Sequence, residues 1–295
     1  MSSFSCLVIG NESLLIQCAE ILRQRGHRIA AVVTSNAELR GWAMGHGLKV
    51  EAPGRGLADR LDGVAYDWLF SIANLAVIPD ALIARAARGA INFHDGPLPR
   101  YAGLNAPVWA ILNREREHGI SWHLMEGGID EGDILAQRRF DVTLEDTALT
   151  LNTRCYAAAI ESFTPLVASL EAGDPARFPQ DLHLRSYFAR DARPRAGARL
   201  DFRLDAEDLV ALVRGLDHGD YWNPLARPKV AAGGRLLLVG GAALSEHAPG
   251  AVPGSVLEAS EDRLVVATGS APIVLTRLAD LDGLPVCPKR VAAVG

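Results

Sequence analysis

An amide and an imidazole side chain stand two residues apart where a predicted strand, residues 89–93, comes to its end. These are Asn92 and His94, and because strand side chains alternate, both are expected to point to one face of the sheet. In open α/β sheets, ligand sites gather at the carboxyl ends of the strands. A side-chain amide and an imidazole placed together there form a pair of N–H donors suited to stabilising an oxyanion.

Two glycine-rich segments accompany this pair. Residues 95–103, DGPLPRYAG, contain the glycine and proline that end the strand and stiffen the loop after it. Residues 126–133, EGGIDEGD, form a turn rich in glycine and acid between two further predicted strands, 120–125 and 134–140. A lone asparagine at a strand end is usually a turn former, so the case for chemistry depends on these segments occurring together.

The first half of the chain alternates short apolar runs with helical patterns. Strands are predicted at 6–9, 28–33, 68–72 and 89–93, and helices at 14–23, 37–46, 80–87 and 147–172. This alternation predicts an α/β fold with a Rossmann-like, mainly parallel sheet and helices on both faces.

A segment rich in proline, arginine and aspartate, residues 174–198, is interpreted as a linker. Beyond it, the pattern predicts a helix over 206–216 and short strands at 235–239, 254–258, 263–267 and 273–278. Such a run of strands is typical of a small β-rich, barrel-like domain. We therefore predict a Rossmann-like domain over residues 1–190 and a smaller C-terminal subdomain over 191–295.

Bulk properties narrow the function classes. The chain has 295 residues, 49% of them hydrophobic, and a formal net charge of -5, which argues against general nucleic-acid binding. No secretory signal or membrane-spanning apolar run is evident. The four cysteines form no C-x-x-C pair, so neither a disulfide framework nor a cysteine-rich metal site is expected. We expect a cytoplasmic protein without a metal.

The motif INFHDGPLPRYAG, residues 91–103, resembles the signature strand and loop of the folate-dependent formyltransferases, and GIDEGD, residues 128–133, resembles their later acidic loop. That family includes methionyl-tRNA formyltransferase and sugar-nucleotide formyltransferases. The resemblance implies a triad of Asn92, His94 and Asp130. It also implies 10-formyltetrahydrofolate as cosubstrate, with Asp130 orienting His94 or accepting the proton of the attacking amine.

Two departures from the family pattern point to one branch of it. Asp95 and Gly96 replace the small or proline residues that usually follow the histidine. These variants, and the stretch RGLDHGDYWNPL at 214–225, resemble in particular the formyltransferase domains at the start of nonribosomal peptide synthetases. The resemblance implies an amino acid, or an aminoacyl group on a carrier protein, as the acceptor.

The loop at 71–79 matches the family's folate loop in position, although its composition is its own. We expect the pterin between this loop and the turn at 124–130. The expected contacts are Ser71, Ile72, Asn74, Leu75, Ile78, Leu124, Gly128 and Ile129.

Other functions remain open at this stage. A 10-formyltetrahydrofolate hydrolase would use the same triad with water as acceptor, and a sugar-nucleotide amine is a further possible acceptor. A nucleotide-dependent oxidoreductase is disfavoured because the first strand ends VIGNES, without G-x-G-x-x-G. An interaction module that merely kept the fold is disfavoured by the intact triad.

Charge also bears on the acceptor. Residues 196–295 contain ten Lys or Arg and twelve Asp or Glu, so a transfer RNA, which needs several cations on one face, is disfavoured. For an acidic carrier protein, the candidate docking patch is the arginine cluster of the predicted linker, Arg185, Arg190, Arg193 and Arg195.

Several of the remaining histidines and the tryptophan at 222 are assigned structural positions rather than catalytic roles. His27, His46 and His118 lie in polar surroundings and are predicted to be solvated. His123 is either a core or a pocket residue, and Trp222 is predicted to pack within the second domain.

Overall fold

The computed structural model describes residues 2–173, 175–232 and 234–292. Their contacts divide the chain into two compact units. The first contains the residues up to Leu104 together with His118–Phe140 and Thr153–Phe188. The second contains Asn105–Glu117, Asp141–Asn152 and the residues from Ala189 on. Two segments that precede the predicted linker therefore belong to the second unit.

The elements follow one another largely as the pattern predicts. They are β1 (Ser5–Ile9), α1 (Leu14–Gln24), β2 (Arg28–Val33), α2 (Ala37–Gly45), β3 (Val50–Glu51), α3 (Leu57–Arg60), β4 (Trp68–Ser71), α4 (Asp80–Arg85), β5 (Gly89–His94), β6 (Ala102–Gly103), α5 (Ala106–Leu112), β7 (Glu117–Leu124), β8 (Ile134–Asp141), α6 (Ala148–Ala172), β9 (Tyr187–Phe188), α7 (Ala206–Gly215), β10 (Lys229–Ala232), β11 (Arg235–Leu244), β12 (Val256–Ala259), β13 (Arg263–Val266), β14 (Ile273–Ala279) and α8 (Pro288–Ala292).

A seven-stranded sheet forms the centre of the first unit, in the order β3-β2-β1-β4-β5-β7-β8. The pairs from β3 to β5 are parallel, and β7 joins β5 antiparallel. The predicted mainly parallel α/β sheet is confirmed. Because β1, β4 and β5 run in the same direction, their carboxyl ends share one edge, where the predicted site residues lie.

The sheet is covered on both faces, and its central strands β1 and β4 are mostly apolar. Cys6 and Val8 of β1 pack in a core with α1, α2 and α6, whereas Leu7 and Ile9 pack in a second core with α3 and α4. Strands buried on both faces read as continuous apolar runs, which is what the sequence shows there.

The second unit contains a curled antiparallel sheet of order β10-β11-β14-β13-β12. Its core joins Leu209 and Val213 of α7 to sheet residues such as Val239 and Leu275. The sequence pattern did not predict α5, although six of its seven residues are buried. A helix that is apolar on all sides has no amphipathic period, so the pattern could not separate it from a strand or loop.

Three side-chain predictions are wrong. His27 and His118 are buried rather than solvated, with exposed fractions of 6% and 0%. Trp222, predicted to pack in the second unit, is 82% exposed. His46 is exposed, as predicted.

In the ranges 2–173, 175–232 and 234–292, no helix has the length and apolarity needed to cross a bilayer. The same ranges contain no group of three or more His, Cys, Asp or Glu side chains placed to hold a metal ion.

His27 is buried in an ionic cluster that ties the start of the chain to the end of α6. Its ring stacks on Phe4 at 3.7 Å, its Nδ1 accepts from the Phe4 amide at 3.2 Å, and its Nε2 lies 2.9 Å from Glu171. Arg25 donates two hydrogen bonds to the same carboxylate. Burial lowers the pKa of His27 despite the attraction of Glu171, and the hydrogen bonds from Arg25 lower the pKa of Glu171.

Stability should therefore fall on acidification, beginning below about pH 6.5. The unfolded chain protonates His27 first, so the folded state loses stability until the pH reaches the lower folded-state pKa. Replacing the ring by His27→Gln should remove that part of the loss and cost about 1–3 kcal/mol at neutral pH. Denaturant unfolding between pH 5 and 8 measures both effects, with the exposed His46→Gln as control. An unchanged pH slope in His27→Gln would contradict the assignment.

Candidate active site

A row of backbone partners crosses the sheet where the parallel strands end. Ile9 of β1 is level with Ser71 of β4, Ser71 with Asn92 of β5, and Asn92 with His123 of β7. Neighbouring strands lie about 4.8 Å apart, so side chains of this row that share a face are adjacent. The row places Ser71, where the predicted folate loop begins, directly beside Asn92.

His94 lies one pleat beyond Asn92 and is almost fully enclosed. Its Nε2 donates to the carbonyl of Tyr101 at 2.8 Å, while Nδ1 faces the carboxylates of Asp130 at 3.6 Å and Asp95 at 3.9 Å. Gly96 makes this arrangement possible, because a Cβ there would stand 2.7 Å from His94 Nε2 and 3.0 Å from the Tyr101 carbonyl.

The loop after His94 is held by side chains of the neighbouring strands. Ser121 donates to the carbonyl of Gly96 at 2.9 Å and accepts from the amide of Leu98 at 3.1 Å. Gln137 donates to the carbonyl of Leu98 at 2.9 Å. These bonds fix the loop that carries Tyr101, and so fix the acceptor of the His94 ring.

Asp130 is the ionic centre of the site. Its carboxylate accepts from the amide of Gly103 at 2.8 Å and lies 3.4 Å from Nε2 of His123. Burial alone would raise the pKa of Asp130, but the hydrogen bond from His123, the charge of His94 and the Gly103 amide together lower it to about 2. The side chain is therefore an anion at neutral pH.

His123 is a site residue that sequence reasoning left undecided between core and pocket. It is 2% exposed, and its Nδ1 donates to the carbonyl of Leu124 at 2.8 Å. Its Nε2 lies 3.1 Å from the Asn92 amide nitrogen and 3.4 Å from Asp130. A neutral ring accepts from Asn92, and a protonated ring donates to Asp130. No local sequence pattern identifies His123 as a site residue. It lies opposite Asn92 because β5 and β7 pair antiparallel.

Asp130 is presented by a turn whose backbone lies in the left-handed region, with φ of 57° at Asp130 itself. Gln180 donates to the carbonyls of Asp130 and Gly132, at 2.9 and 2.7 Å. Arg185 donates to the carbonyl of Ile129 at 2.9 Å. Aspartate tolerates this conformation better than most residues, and these donors hold it there.

The segment predicted as a linker therefore performs a structural task in the site. Tyr101 and Ser186 are joined by a hydrogen bond from the Tyr101 amide to the Ser186 hydroxyl at 2.8 Å. Strands β6 and β9 then pair Ala102 with Tyr187 and Gly103 with Phe188. Residues 178–188 thus bind both loops that surround Asp130. The interpretation of residues 174–198 as a linker is wrong for this part.

Asp95, one of the two departures from the family pattern, also lies near His94. Burial raises its pKa, and the nearby charge of His94 opposes that effect. Its carbonyl lies 2.8 Å from Nε2 of the buried His118. His118 is thus part of the framework beneath the loop.

The predicted folate contacts fall into two groups. The side chains of Ser71, Ile72, Ile78 and Leu124 are buried, the last three in the two cores of the first unit. Leu124 has its amide bound to Asp133 and its carbonyl bound to His123. Because these side chains are buried, a ligand could contact these residues only through their backbone atoms.

The second group is accessible. Leu75 and Ile129 are 69% and 61% exposed, and Gly128 is exposed beside Ile129. Asn74 uses its side chain within its own loop, donating to the Ala76 carbonyl at 2.8 Å and accepting from the Ala76 amide at 3.1 Å. The loop is therefore stiffened from within while it presents apolar side chains to solvent.

This geometry supports acid–base chemistry around an oxyanion. Asn92 and Asp130 are partly exposed, whereas His94 is buried. The Nδ1 atom of His94 has no hydrogen bond within 3.5 Å among the described residues, and its nearest acceptors are the two carboxylates at 3.6 and 3.9 Å. One amide donor, one imidazole nitrogen and one carboxylate thus remain for a substrate.

The assigned cause of the low Asp130 pKa can be tested directly. His123→Phe removes the hydrogen bond from the ring and leaves the burial of the carboxylate, so the pKa of Asp130 should rise from about 2. Carboxyl-carbon NMR with labelled aspartate measures it. Asp67 is the matched control, because its pKa is lowered by the Ser5 amide and should not change. An unmoved Asp130 signal would rule out the role of His123.

The model of the family described as "Formyl transferase" matches residues 49–166, and that of "Formyl transferase, C-terminal domain" matches residues 195–289. The first range contains Asn92, His94 and Asp130, and the second contains α7 and the curled sheet. Together they cover more than two thirds of the chain.

Solved structures with the same fold include WlaRD, a sugar 3N-formyl transferase crystallised in the presence of dTDP and 5-N-formyl-THF. It is 17% identical with a TM-score of 0.72, over 94% of this chain and 98% of WlaRD. The N-formyltransferase of Helicobacter canadensis, in complex with folinic acid and dTDP-3-aminofucose, is 16% identical with a TM-score of 0.72, over 94% and 100%.

HypX from Aquifex aeolicus, in complex with tetrahydrofolic acid, is 19% identical with a TM-score of 0.68. The match covers 95% of this chain but only 45% of HypX. At these identities the structural likeness shows the fold, and the matching family models show the relationship. The chain belongs to the formyl transferase family.

Proposed function

We propose that this protein transfers the formyl group of 10-formyltetrahydrofolate to a primary amine, with Asn92, His94 and Asp130 as its catalytic residues. The observation that carries the proposal is the convergence of a partly exposed amide and an imidazole at the carboxyl end of β5 with the carboxylate of Asp130. Solved relatives crystallised with 5-N-formyl-THF and folinic acid support the cosubstrate.

The residues divide the chemistry between them. The amine lone pair attacks the formyl carbon, a C–N bond forms, and the carbonyl oxygen becomes an oxyanion. Asn92 donates to that oxygen. With both ring nitrogens protonated, His94 donates to it from Nδ1 while Nε2 keeps its bond to the Tyr101 carbonyl. Asp130 accepts the proton lost by the attacking amine, directly or through water. Collapse of the oxyanion breaks the bond between the formyl carbon and the folate nitrogen, and that nitrogen leaves with the proton held by Asp130.

The pterin is proposed to bind between the loop at 71–79 and the turn at 124–130. Ser71 begins the first segment beside Asn92, and the exposed Leu75, Val77 and Ile129 offer apolar surface for a planar ring. Of the predicted contacts, Ile72, Ile78 and Leu124 contribute through backbone atoms, because their side chains are in the cores.

We propose an amino acid, free or bound to a carrier protein, as the acceptor. The slight excess of acidic residues over 196–295 supports a small amine over a nucleic acid. For carrier docking, Arg190 and Arg193 remain the candidate residues, since both are exposed. Arg185 is engaged with the Asp130 turn and is withdrawn from the docking patch.

A sugar-nucleotide amine is the second candidate acceptor. It is favoured by WlaRD, crystallised in the presence of dTDP, and by the Helicobacter canadensis enzyme, in complex with dTDP-3-aminofucose, which match this chain over nearly their whole length. A hydrolase with water as acceptor uses the same triad and is a third outcome of the same assay.

The deciding experiment offers 10-formyltetrahydrofolate with free amino acids, carrier-bound aminoacyl thioesters, amino-sugar nucleotides or no amine, and identifies formylated product by mass spectrometry. His94→Ala and Asp130→Asn should each lower turnover about 100-fold or more. The exposed His46→Ala and Asp62→Asn are matched controls. Formate release without amine would establish the hydrolase, and near wild-type turnover in either triad variant would refute the mechanism.

Docking of a carrier protein is tested separately, with its own control variant. Charge reversal at Arg190 and Arg193 should weaken use of carrier-bound substrate and spare free amino acids, whereas Arg40→Glu, an exposed arginine elsewhere, should spare both. Equal loss with both acceptors would count against docking at these arginines.

Gln180 is expected to be a positioning residue for Asp130. Gln180→Ala removes both hydrogen bonds that the Gln180 amide donates to the turn, so kcat should fall about 10-fold or more, while the KM for the amine changes little. Gln180→Glu, which keeps the shape but places a charge beside two carbonyls, should be at least as impaired.

A structural role alone would lower the unfolding temperature and leave the kinetics of the folded fraction intact. The pH dependence of kcat distinguishes a positioning role from a purely structural one, because a displaced Asp130 shifts the acidic limb of the pH profile. A wild-type kcat in folded Gln180→Ala would show that Gln180 does not position Asp130.

A further inference from the structure

The second unit contains a cavity that the proposed chemistry does not use. It has a volume of about 370 Å³ and is formed by the loop after α7 and by strands β11 and β14. Pockets of this size commonly hold small molecules. Its chemically distinctive lining residues are Asp217, His218, Tyr221, Trp222, Arg227 and Arg277.

Two adjacent aromatic side chains at this cavity face solvent. Tyr221 is 72% and Trp222 is 82% exposed, and of the five tryptophans only Trp222 is exposed. Large aromatic side chains usually bury much of their surface, so an exposed pair beside a cavity indicates a surface for binding a ligand.

The loop that presents the pair is fixed from within. Asp217 accepts from the amide of Gly219 at 2.9 Å. Asn223 donates to the carbonyls of Leu216 and Ala226, at 2.8 and 2.7 Å, and accepts from the amide of Leu225 at 2.8 Å. A surface held in place before binding loses less entropy when a ligand arrives.

One positive charge at the cavity is not compensated by a neighbouring acid. Arg277 donates to Asp217 at 2.8 Å, so these two charges compensate. Arg227 is exposed and has no hydrogen bond or ion pair with any residue of the described ranges. Burial lowers the pKa of His218 despite the nearby Asp217 charge, so this ring adds no charge at neutral pH. Its Nε2 is buried and has no hydrogen-bond partner in the described chain.

We propose that this cavity binds a nucleoside 5′-monophosphate, with the base stacked on Trp222 and Tyr221 and the phosphate bound by Arg227. Aromatic faces stack on any base, and a guanidinium matches the geometry of a phosphate. A single unpaired arginine suits one phosphate group. The inference is independent of which amine accepts the formyl group.

The test is isothermal titration of the full chain with AMP and UMP, compared with adenosine, inorganic phosphate and 4′-phosphopantetheine. Both nucleotides should bind, and adenosine and inorganic phosphate should each bind more weakly than AMP. Trp222→Ala should weaken AMP binding about fivefold to a hundredfold, and Trp222→Phe should retain much of it. Arg227→Ala should weaken it about tenfold or more, and Arg227→Lys should restore part.

Two controls separate this site from the active site. Arg235→Ala removes an exposed arginine of the same unit outside the cavity, and His94→Ala alters the triad; both should leave AMP affinity unchanged. Loss of binding in His94→Ala with retention in Trp222→Ala would overturn the proposal. So would phosphopantetheine binding as tightly as AMP, adenosine matching AMP, or no nucleotide binding at millimolar concentration.

Discussion

The site depends on keeping one carboxylate ionised in a place that excludes most water. Burying an unpaired charge costs several kcal/mol, and Asp130 is only 10% exposed. The protein offsets this cost with the Gly103 amide and with two histidines that approach from different strands. Residues far apart in the sequence must therefore converge before the carboxylate can be an anion, and most of the local architecture serves that convergence.

Glycine makes the convergence sterically possible. The Gly103 amide reaches Asp130 from a backbone with φ of 97°, where an added Cβ would stand 2.2 Å from the carbonyl of Phe188. Gly96 likewise leaves room for the bond between His94 and Tyr101. The neighbours of these two glycines thus approach so closely that a side chain at either position would clash with them.

The sequence predicted the parts of this arrangement that are local. The apolar strands, the helices between them and the residues at the strand end all follow from periodicity and turn chemistry. The functions of His123 and Gln180 follow from strand pairing and from a chain return over some fifty residues, which no local pattern contains. The same limitation explains α5, whose uniform apolarity carries no period, and Trp222, whose exposure contradicts the usual preference of its type. Several predicted folate contacts are core residues because a strand end serves both the core and the site.

The return of residues 178–188 to the site has a consequence for dividing the protein into fragments. By composition, the natural place to cut is near residue 174, where proline, arginine and aspartate accumulate. A fragment ending there would retain Asn92, His94 and Asp130 but would lack Gln180, Arg185 and the strand that pairs with Gly103. Its parallel sheet would remain, whereas the turn that presents the carboxylate would lose its external donors. Any minimal version of the first unit must therefore extend through Phe188.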